Sequence, residues 1–317
     1  MDGNFFISVD WGTTNIRVRL VQCASLQIVE EVFSPQGIKK TYDLWNDHGG
    51  ERKDYFLGFL KSQIDQFETE IDINTKVVVS GMASSSIGIK ELPYAELPFN
   101  TDGSNLFVED IFGSNFPYQI KLISGVKSEA DVIRGEEVQI VGLINDEKQS
   151  VKTVFVMPGT HSKHVVCDNE MVTDFHTFMT GEMFQVISEH TILKNSLNQG
   201  KFGKKEQLAF DEGVSSCLEG HSLLNELFKI RAYSLFQSKT AVENYYFLSG
   251  LLIGSEIIAL RDGSHDQVRL CAGGNLFDLY YRAIEKIGLL HKTVVVNKDV
   301  VDTSVVRGQW KIIKNLL

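Results

Sequence analysis

One pattern of an apolar strand, a Gly-Thr turn and a second apolar strand occurs twice in this chain and constrains its fold most. The first copy spans residues 7–21 and the second spans residues 154–166. Setting Gly12 on Gly159 aligns the two turns 147 residues apart, close to half of the 317-residue chain. In each copy the apolar runs around a polar turn predict a β-hairpin. The repeat therefore predicts two related lobes, each offering one loop to a ligand held between them.

The first turn has the composition of an anion-binding loop. Gly12 allows the backbone to approach a ligand closely, and the amides and hydroxyls of Thr13, Thr14 and Asn15 can face a phosphate. Asp10 ends the preceding strand, where its carboxylate can bind Mg²⁺ directly or through water. The alternative is a plain hairpin turn, because Gly, Thr and Asn are common in turns of every kind.

The second turn repeats this loop without the strand-end carboxylate. Gly159, Thr160 and Ser162 match residues of the first turn, which predicts a second phosphate loop. Lys163 either reaches a phosphate oxygen or extends from the second strand into water. His161 is either a phosphate ligand or, as is more common, a hydrogen-bonded turn residue.

Length and charge restrict the class of protein. A chain of 317 residues is long enough for two domains. The net charge of −10 argues against a nucleic-acid surface. The four cysteines are far apart and form no Cys-x-x-Cys pair, so we expect reduced thiols in a cytoplasmic protein. The N-terminus lacks a signal-peptide pattern, and no apolar run is long enough to span a bilayer.

A loop rich in Ser and Gly follows a predicted helix and strand in the first half of the chain. Apolar residues at helical spacing predict an amphipathic helix over residues 51–68, and residues 76–79 predict a short buried strand. Open α/β sheets place ligand groups just past such strands. Residues 80–86 are therefore candidates for substrate contact, although Ser and Gly also make plain flexible loops.

A polar cluster at residues 128–137 predicts the start of a helix that continues to residue 144. Asp131 is expected in the first turn of this helix or at its cap. One interpretation is a capping Asp with flanking surface charges. The other is a catalytic carboxylate that faces the ligand, kept ionised by the helix N-terminus.

The last third of the chain contains a second candidate nucleotide contact. Residues 240–260 predict a long helix in which Gly250 and Gly254 suggest close backbone packing. Residues 268–271 predict a strand, and the residues Gly273, Gly274 and Asn275 then start a helix. Two glycines at this place leave room for a flat ligand or a phosphate. The chain has neither a Walker A motif nor Gly-x-Gly-x-x-Gly, which disfavours P-loop and Rossmann folds.

The order of these motifs resembles that of the sugar kinase, actin and Hsp70 ATPase superfamily, and within it the 2-dehydro-3-deoxygalactonokinase family. The matching stretches are residues 9–15 with Arg17, 80–82, 92–94 with Pro98, 131–137, 157–163, 178–182 and 273–275. The chain departs from the family pattern after Gly81-Met82. There the family has Gly-Ser-Arg-Gln-Gly-Trp, whereas residues 83–89 read Ala-Ser-Ser-Ser-Ile-Gly-Ile.

The resemblance implies an α/β fold of two ribonuclease-H-like (actin-like ATPase) lobes, each a mixed sheet with flanking helices, and a cleft between them. We expect an N-terminal lobe over residues 1–124 with the first phosphate loop and the sugar-acid site. Residues 125–317 are expected to form a C-terminal lobe with the catalytic Asp, the second phosphate loop and the adenosine site.

The resemblance also implies an activity, the ATP-dependent phosphorylation of the terminal (6-) hydroxyl of 2-dehydro-3-deoxy-D-galactonate in galactonate catabolism. Asp131 would take the hydroxyl proton, and Asp10 would organise Mg²⁺. The two turns would hold the ATP phosphates, and residues 273–275 would border the adenosine. The expected substrate contacts are Arg17, Gly81, Met82, Ser84, Ser85 and Arg134.

Two alternative functions remain open. The altered residues 83–89 keep open a kinase for another small sugar or sugar acid. The superfamily also contains nucleotide-operated binding modules of the actin or Hsp70 kind, although this chain has no long peptide-binding or polymerising insertion. The expected partners are a small sugar acid and ATP, without nucleic acid or membrane, and with a homodimer as a possible assembly.

Overall fold

A computed structural model of the chain describes residues 5–144, 151–261, 263–314 and 316. It contains mixed sheets and flanking helices. The strands are β1 Phe5–Trp11, β2 Ile16–Gln22, β3 Ile28–Ser34, β4 Val77–Gly81, β5 Ala95–Glu96, β6 Phe99–Asn100, β7 Val108–Gly113, β8 Phe116–Ile123, β9 Val126–Lys127, β10 Val132–Ile133, β11 Thr153–Met157, β12 Ser162–Asp168, β13 Met171–Phe178, β14 Gln267–Leu270 and β15 Thr293–Val295.

The described residues also form α-helices. They are α1 Ile38–His48, α2 Arg52–Ile64, α3 Glu136–Leu143, α4 Thr180–His190, α5 Lys204–Leu218, α6 Leu223–Leu235, α7 Ala241–Ile257, α8 Asn275–Lys286, α9 Lys298–Asp302 and α10 Ser304–Lys314. In the described part of the chain, no helix has the length and apolar character that crossing a membrane requires.

Two six-stranded sheets share the order of five strands, with β3-β2-β1-β4-β8 in the first matching β13-β12-β11-β14-β15 in the second. In the first, β3-β2-β1-β4-β8-β7, β1 pairs antiparallel with β2 and parallel with β4, which pairs parallel with β8. In the second, β15-β14-β11-β12-β13-β6, β11 pairs parallel with β14, which pairs parallel with β15. The β11–β12 connection is too short for a parallel crossover, so these strands form a hairpin. This repeat confirms the predicted duplication and the ribonuclease-H-like α/β class.

The chain divides into two compact units. The first comprises Met1–Gln149, Cys167–Asp174 and Asp299–Leu317, and the second comprises Ser150–Val166 and Phe175–Lys298. These units differ from the lobes expected from the sequence, because residues 125–149 and the C-terminal segment group with the first unit. Within the first unit, helix α3 packs closely on α10.

The β1–β2 hairpin forms the centre of the core in the first unit. Trp11, Ile16 and Val18 are fully buried. The ring of Trp11 packs against Phe56 of α2, with 5.7 Å between the ring centroids. The helix predicted over residues 51–68 is thus confirmed as α2, and its apolar face covers the hairpin that carries the first turn.

Backbone-to-backbone packing of α5 and α7 organises the second unit. A Cβ atom added to Gly250 would lie 2.1 Å from the carbonyl oxygen of Phe210, and one on Gly213 would lie 2.5 Å from that of Phe247. Only glycine allows the helices to approach so closely, which confirms the close packing predicted for the 240–260 helix. A capping box of Thr240 and Glu243 starts α7.

The helix expected to open within residues 128–137 begins at Glu136 instead. Gly135 is its N-cap residue, with a φ of 110° that side chains other than glycine rarely adopt. Asp131 lies in the turn between the antiparallel strands β9 and β10. The prediction that Asp131 occupies the first turn or cap of a helix is therefore wrong. Strand pairing, which a local pattern does not reveal, takes residues 126–133 out of the helix.

Candidate active site

The first turn is held against the N-terminus of α1. The amide of Gly12 donates to the carbonyl of Asn15 at 2.9 Å, which closes the turn. The carbonyls of Gly12 and Thr13 accept hydrogen bonds from Ile38 and Lys39 at 2.9 and 3.2 Å. The side chains of Thr13 and Thr14 are exposed. The turn therefore presents hydroxyls to solvent on a fixed backbone, as an anion-binding loop requires.

The second turn is held in the same way by α4. The carbonyl of Thr160 accepts a hydrogen bond from the amide of Glu182 at 3.0 Å. A Cβ atom on Gly181 would lie 2.7 Å from the carbonyl oxygen of Gly159, just as one on Gly37 would lie 2.4 Å from that of Thr13. Both turns therefore share a feature that was not predicted from the sequence: a glycine before or within the first turn of a helix lets the helix contact the Gly-Thr turn.

The side chains of the second turn point in different directions. Thr160 and His161 are exposed, and His161 Nε2 lies 2.5 Å from Glu182 Oε2. Ser162 and Lys163 are buried. Ser162 Oγ donates to Glu256 Oε1 at 2.6 Å, and Lys163 Nζ donates to the carbonyl of His161 at 2.8 Å. Of the two alternatives for Lys163, extension into water is wrong.

Asp10 lies at the end of β1, half-buried and opposite Arg17 in the β1–β2 register. Burial raises the pKa of this carboxyl, the positive charges of Arg17 and Arg19 lower it in part, and the negative charge of Glu136 raises it further. A Cβ atom on Gly81 would lie 3.6 Å from Asp10 Oδ1. The ends of β1 and β4 and the start of α3 therefore share one electrostatic environment within the first unit.

The chemistry of the Asp10 site fits Mg²⁺ bound mainly by nucleotide. No group of three or more His, Cys, Asp or Glu side chains that could hold a metal occurs among the described residues. Mg²⁺ commonly binds one or two carboxylates together with water and substrate phosphates. A single carboxylate beside an exposed hydroxyl-bearing turn meets that requirement, and a bound cation would favour its ionised form.

The loop after β4 is tightly bonded to itself and to Arg134. Ser84 is buried, and its hydroxyl accepts a hydrogen bond from Arg134 Nη1 at 2.7 Å. The guanidinium lies 4.3 Å from the ring centroid of Tyr94. Ser85 donates its hydroxyl to the carbonyl of Met82 at 2.7 Å. The loop thus forms an ordered platform that includes Arg134, not a plain flexible connection.

The structure also describes the other residues that are predicted to contact the substrate. Arg17 is exposed, and Met82 is half-buried. Gly81 has a φ of 88°, and a Cβ atom on Gly135 would lie 3.4 Å from its Cα atom. The loop after β4 therefore meets the segment before α3 at these two glycines, beside Asp10.

Three carboxyl groups occupy the segment that leads into α3. Asp131 is half-buried and accepts a hydrogen bond from the Val132 amide at 2.7 Å. Glu136 is half-buried at the first position of the helix. Glu137 is completely buried and accepts from the Gly135 amide, and burial raises its pKa to about 8. The helix N-terminus thus carries Glu136 and Glu137 and not Asp131.

A pocket of about 140 Å³ lies in the second unit, beside the start of α8. Its lining residues are Gly159, Thr180, Gly181, Phe184, Tyr245, Ser249, Leu252, Ile253, Leu276, Leu279 and Tyr280. Gly273 and Gly274, which are predicted to contact the nucleotide, directly precede α8 and are exposed. A Cβ atom added to either would have no other atom within 4 Å. The side chain of Asn275 lies outside the described part of the structure. The pocket is mostly apolar, and a residue of the second turn, Gly159, is part of its wall.

The chain matches the family model of 2-keto-3-deoxy-galactonokinase over residues 10–312. It is 29% identical over 287 residues to the 2-dehydro-3-deoxygalactonokinase of Escherichia coli (strain K12), which covers 89% of this chain and 90% of that protein. It is 30% identical over 306 residues to a Rhizobium meliloti (strain 1021) protein named as a candidate for the same activity, with coverage of 93% and 94%.

The fold of a solved relative agrees. A crystal structure of a candidate 2-dehydro-3-deoxygalactonokinase from Sinorhizobium meliloti superposes with a TM-score of 0.80 at 27% identity, covering 98% of this chain and 99% of that one. The family match runs from the end of β1 to α10 and includes both turns. The chain therefore belongs to the 2-keto-3-deoxy-galactonokinase family, and it is a kinase.

Proposed function

We propose that the protein transfers the γ-phosphate of ATP to the terminal (6-) hydroxyl of 2-dehydro-3-deoxy-D-galactonate, in galactonate catabolism. The observation that carries this proposal is the family match over residues 10–312, which includes both Gly-Thr turns. Phosphoryl transfer needs positioning and charge neutralisation more than covalent help from the protein. Two exposed turns, each held by a helix, are suited to that task.

In this proposal different residues bind the adenosine and the phosphates of the nucleotide. The apolar pocket beside α8 takes the adenosine. Gly273 and Gly274, which directly precede α8, border the adenosine. The exposed turns at residues 12–15 and 159–161 bind the phosphates through amides and hydroxyls. Asp10 holds Mg²⁺, which when bound neutralises charge on the phosphates.

The sugar acid is assigned to the first unit. The exposed guanidinium of Arg17 is available for the substrate carboxylate, as planar donors suit carboxylate recognition. The loop after β4 supplies its backbone and Met82, because the hydroxyls of Ser84 and Ser85 already bind other groups. Arg134 acts by holding this loop.

The proton of the attacking hydroxyl is assigned to a carboxylate before or at the start of α3. Asp131 is the residue that the family resemblance indicates. Glu136 satisfies the physical requirement better, since it lies at the helix N-terminus and its charge acts on Asp10. Asp131 and Glu136 are therefore the two candidates for the general base.

The proposed activity is tested by measuring ATP-dependent phosphorylation of 2-keto-3-deoxy-galactonate, its gluconate epimer and neutral hexoses, with and without EDTA. We expect the galactonate compound to give the highest kcat/KM and EDTA to abolish turnover. A preference for another acid would favour the second candidate, a kinase for a different sugar acid, which the residues at 83–89 suggest. ATP binding with slow ADP release and no dependence on any sugar would contradict both kinase assignments.

The base is assigned by comparing Asp131→Asn with Glu136→Gln. We expect the variant that lacks the base to lose about two orders of magnitude or more in kcat while it keeps its ATP affinity. The other variant serves as the matched control, because both changes remove one carboxylate from the same segment. Full activity in Asp131→Asn would remove Asp131 from the proposed role.

A further inference from the structure

A buried carboxylate in the second unit accepts hydrogen bonds from four side chains. Glu256 of α7 is only 2% exposed. In the tautomer that carries its proton on Nε2, His164 is one of the four donors. The donors and their distances to the carboxylate oxygens are Ser162 Oγ (2.6 Å), His164 Nε2 (3.1 Å), Thr180 Oγ1 (2.5 Å) and Tyr280 OH (2.7 Å).

These donors connect the second turn with the walls of the apolar pocket. Ser162 belongs to the predicted phosphate loop and is the first residue of β12. Thr180 starts α4, which holds that loop, and Tyr280 belongs to α8. Both Thr180 and Tyr280 line the pocket. One carboxylate therefore fixes the loop and two walls of the pocket relative to one another.

The energetics indicate that the Glu256 carboxylate fixes the positions of the groups around it and does not mainly stabilise the fold. A buried charge is costly unless hydrogen bonds replace its lost hydration. Apolar residues of similar volume could fill the same space without that cost. A carboxylate with four donors instead fixes one set of positions for the groups around it.

We propose that Glu256 is a positioning residue for the nucleotide, which couples the second phosphate loop to the adenosine pocket through Ser162, Thr180 and Tyr280. This inference rests on the proposed function in that it takes ATP as the ligand of both features. Glu256 is too deeply buried to touch the reacting atoms, so its effect appears in nucleotide affinity.

Glu226 provides a matched control. It is also 2% exposed, and it accepts hydrogen bonds from Ser216 at 3.1 Å and from Lys229 at 2.6 Å. It lies on α6, and neither it nor these partners line the pocket or belong to the second turn. Glu226→Gln thus makes the same chemical change at equal burial, away from the nucleotide site.

The experiment measures ATP and ADP affinity by calorimetry, together with steady-state kinetics, for wild type, Glu256→Gln and Glu226→Gln. We expect about tenfold weaker nucleotide binding and a matching rise in KM for ATP in Glu256→Gln. Its kcat and its KM for the sugar acid should change less than threefold. Glu226→Gln should lower the melting temperature without changing nucleotide affinity. Unchanged ATP affinity in Glu256→Gln would overturn the proposal.

A double-mutant cycle tests the route through Ser162. If Glu256 acts through the loop, Ser162→Ala and Glu256→Gln together should weaken ATP binding no more than the stronger single change. Additive effects would contradict that route.

Two further variants test the proposal if Glu256→Gln does not fold. Thr180→Val and Tyr280→Phe each remove one donor, and each is expected to weaken ATP binding about threefold. Wild-type affinity in both would overturn the proposal.

The calorimetric readout separates this inference from the proposed function. Wild-type protein that binds ATP but phosphorylates no sugar acid would refute the proposed reaction and leave the test of Glu256 intact. Wild-type protein that binds no nucleotide would refute both.

Discussion

Two glycines show how a single residue can position a Gly-Thr turn. At Gly37 and Gly181 the helix backbone touches the carbonyl groups of the adjacent turn. Gly37 has an ordinary extended conformation, with a φ of −74°, so its requirement is for space and not for unusual dihedral angles. The atoms that a Cβ would meet belong to the backbone and cannot rotate away.

Gly37→Ala should therefore destabilise the first unit and loosen its turn. The added Cβ would lie 2.4 Å from Thr13 O and 2.5 Å from Asn15 N. We expect a loss of about 1–3 kcal/mol in the free energy of unfolding by urea, typical of overpacking, together with weaker ATP binding. Gly58→Ala is the control, because Gly58 lies in α2 with open space around it and should be neutral or slightly stabilising.

The buried carboxyl of Glu137 makes stability depend on pH. Its pKa is raised from 4.5 to about 8, first by burial and then by the charge of Glu136. Between these values the folded chain binds a proton that the unfolded chain releases. The resulting stabilisation is complete below pH 4.5 and is lost as the pH rises through 8.

Glu137→Gln should remove this dependence, since Gln resembles the protonated acid. Relative to wild type, the variant should gain stability as the pH rises from 5 to 8, by at most about 4 kcal/mol. Urea unfolding at several pH values measures the difference. Glu91→Gln removes an exposed carboxylate and serves as the control. A difference between wild type and Glu137→Gln that stays constant with pH would show that Glu137 is ionised in both states.

Among the elements, those with strong local patterns were predicted well. The two hairpins alternate apolar residues around polar turns, and α7 carries an almost continuous apolar sequence. Helix α1 was missed, although Ile38, Tyr42 and Trp45 recur at helical spacing and pack against the core. Only Ile38 and Thr41 are buried, and so short a stripe in an otherwise polar segment gives a weak periodic signal.

The contacts within the site were less predictable than the loops that carry them. The Gly-Thr turns were recognisable because they repeat. The bond between Ser162 and Glu256 joins residues 94 positions apart, and the one between Arg134 and Ser84 spans 50. Pairs at such separations arise from tertiary packing, and no local pattern in one sequence indicates them. The start of α3 at Glu136 likewise follows from strand pairing, in which β9 pairs with β10 and with β5.

At the scale of the whole chain, the last helix, α10, belongs to the first unit, which also contains the first strand, β1. Gln309 Nε2 of α10 donates to Val9 O and to Ser80 Oγ, each at 2.9 Å. The ring of Trp310 stacks on Phe6 with 5.2 Å between the centroids. These contacts support β1 and β4, whose ends carry Asp10 and Gly81.

The first unit should therefore depend on the C-terminal segment. A chain that ends at residue 298 leaves the buried face of β1 without α10, and we expect β1, β4 and β8 to lose protection from hydrogen exchange. Strands β11 and β14 should keep theirs, because the second unit ends at Lys298. Gly308→Leu in the full-length chain tests the same packing without shortening it, since even a Cβ there would lie 1.9 Å from Val138 O. Wild-type protection of β1 in both proteins would show that the first unit folds without α10.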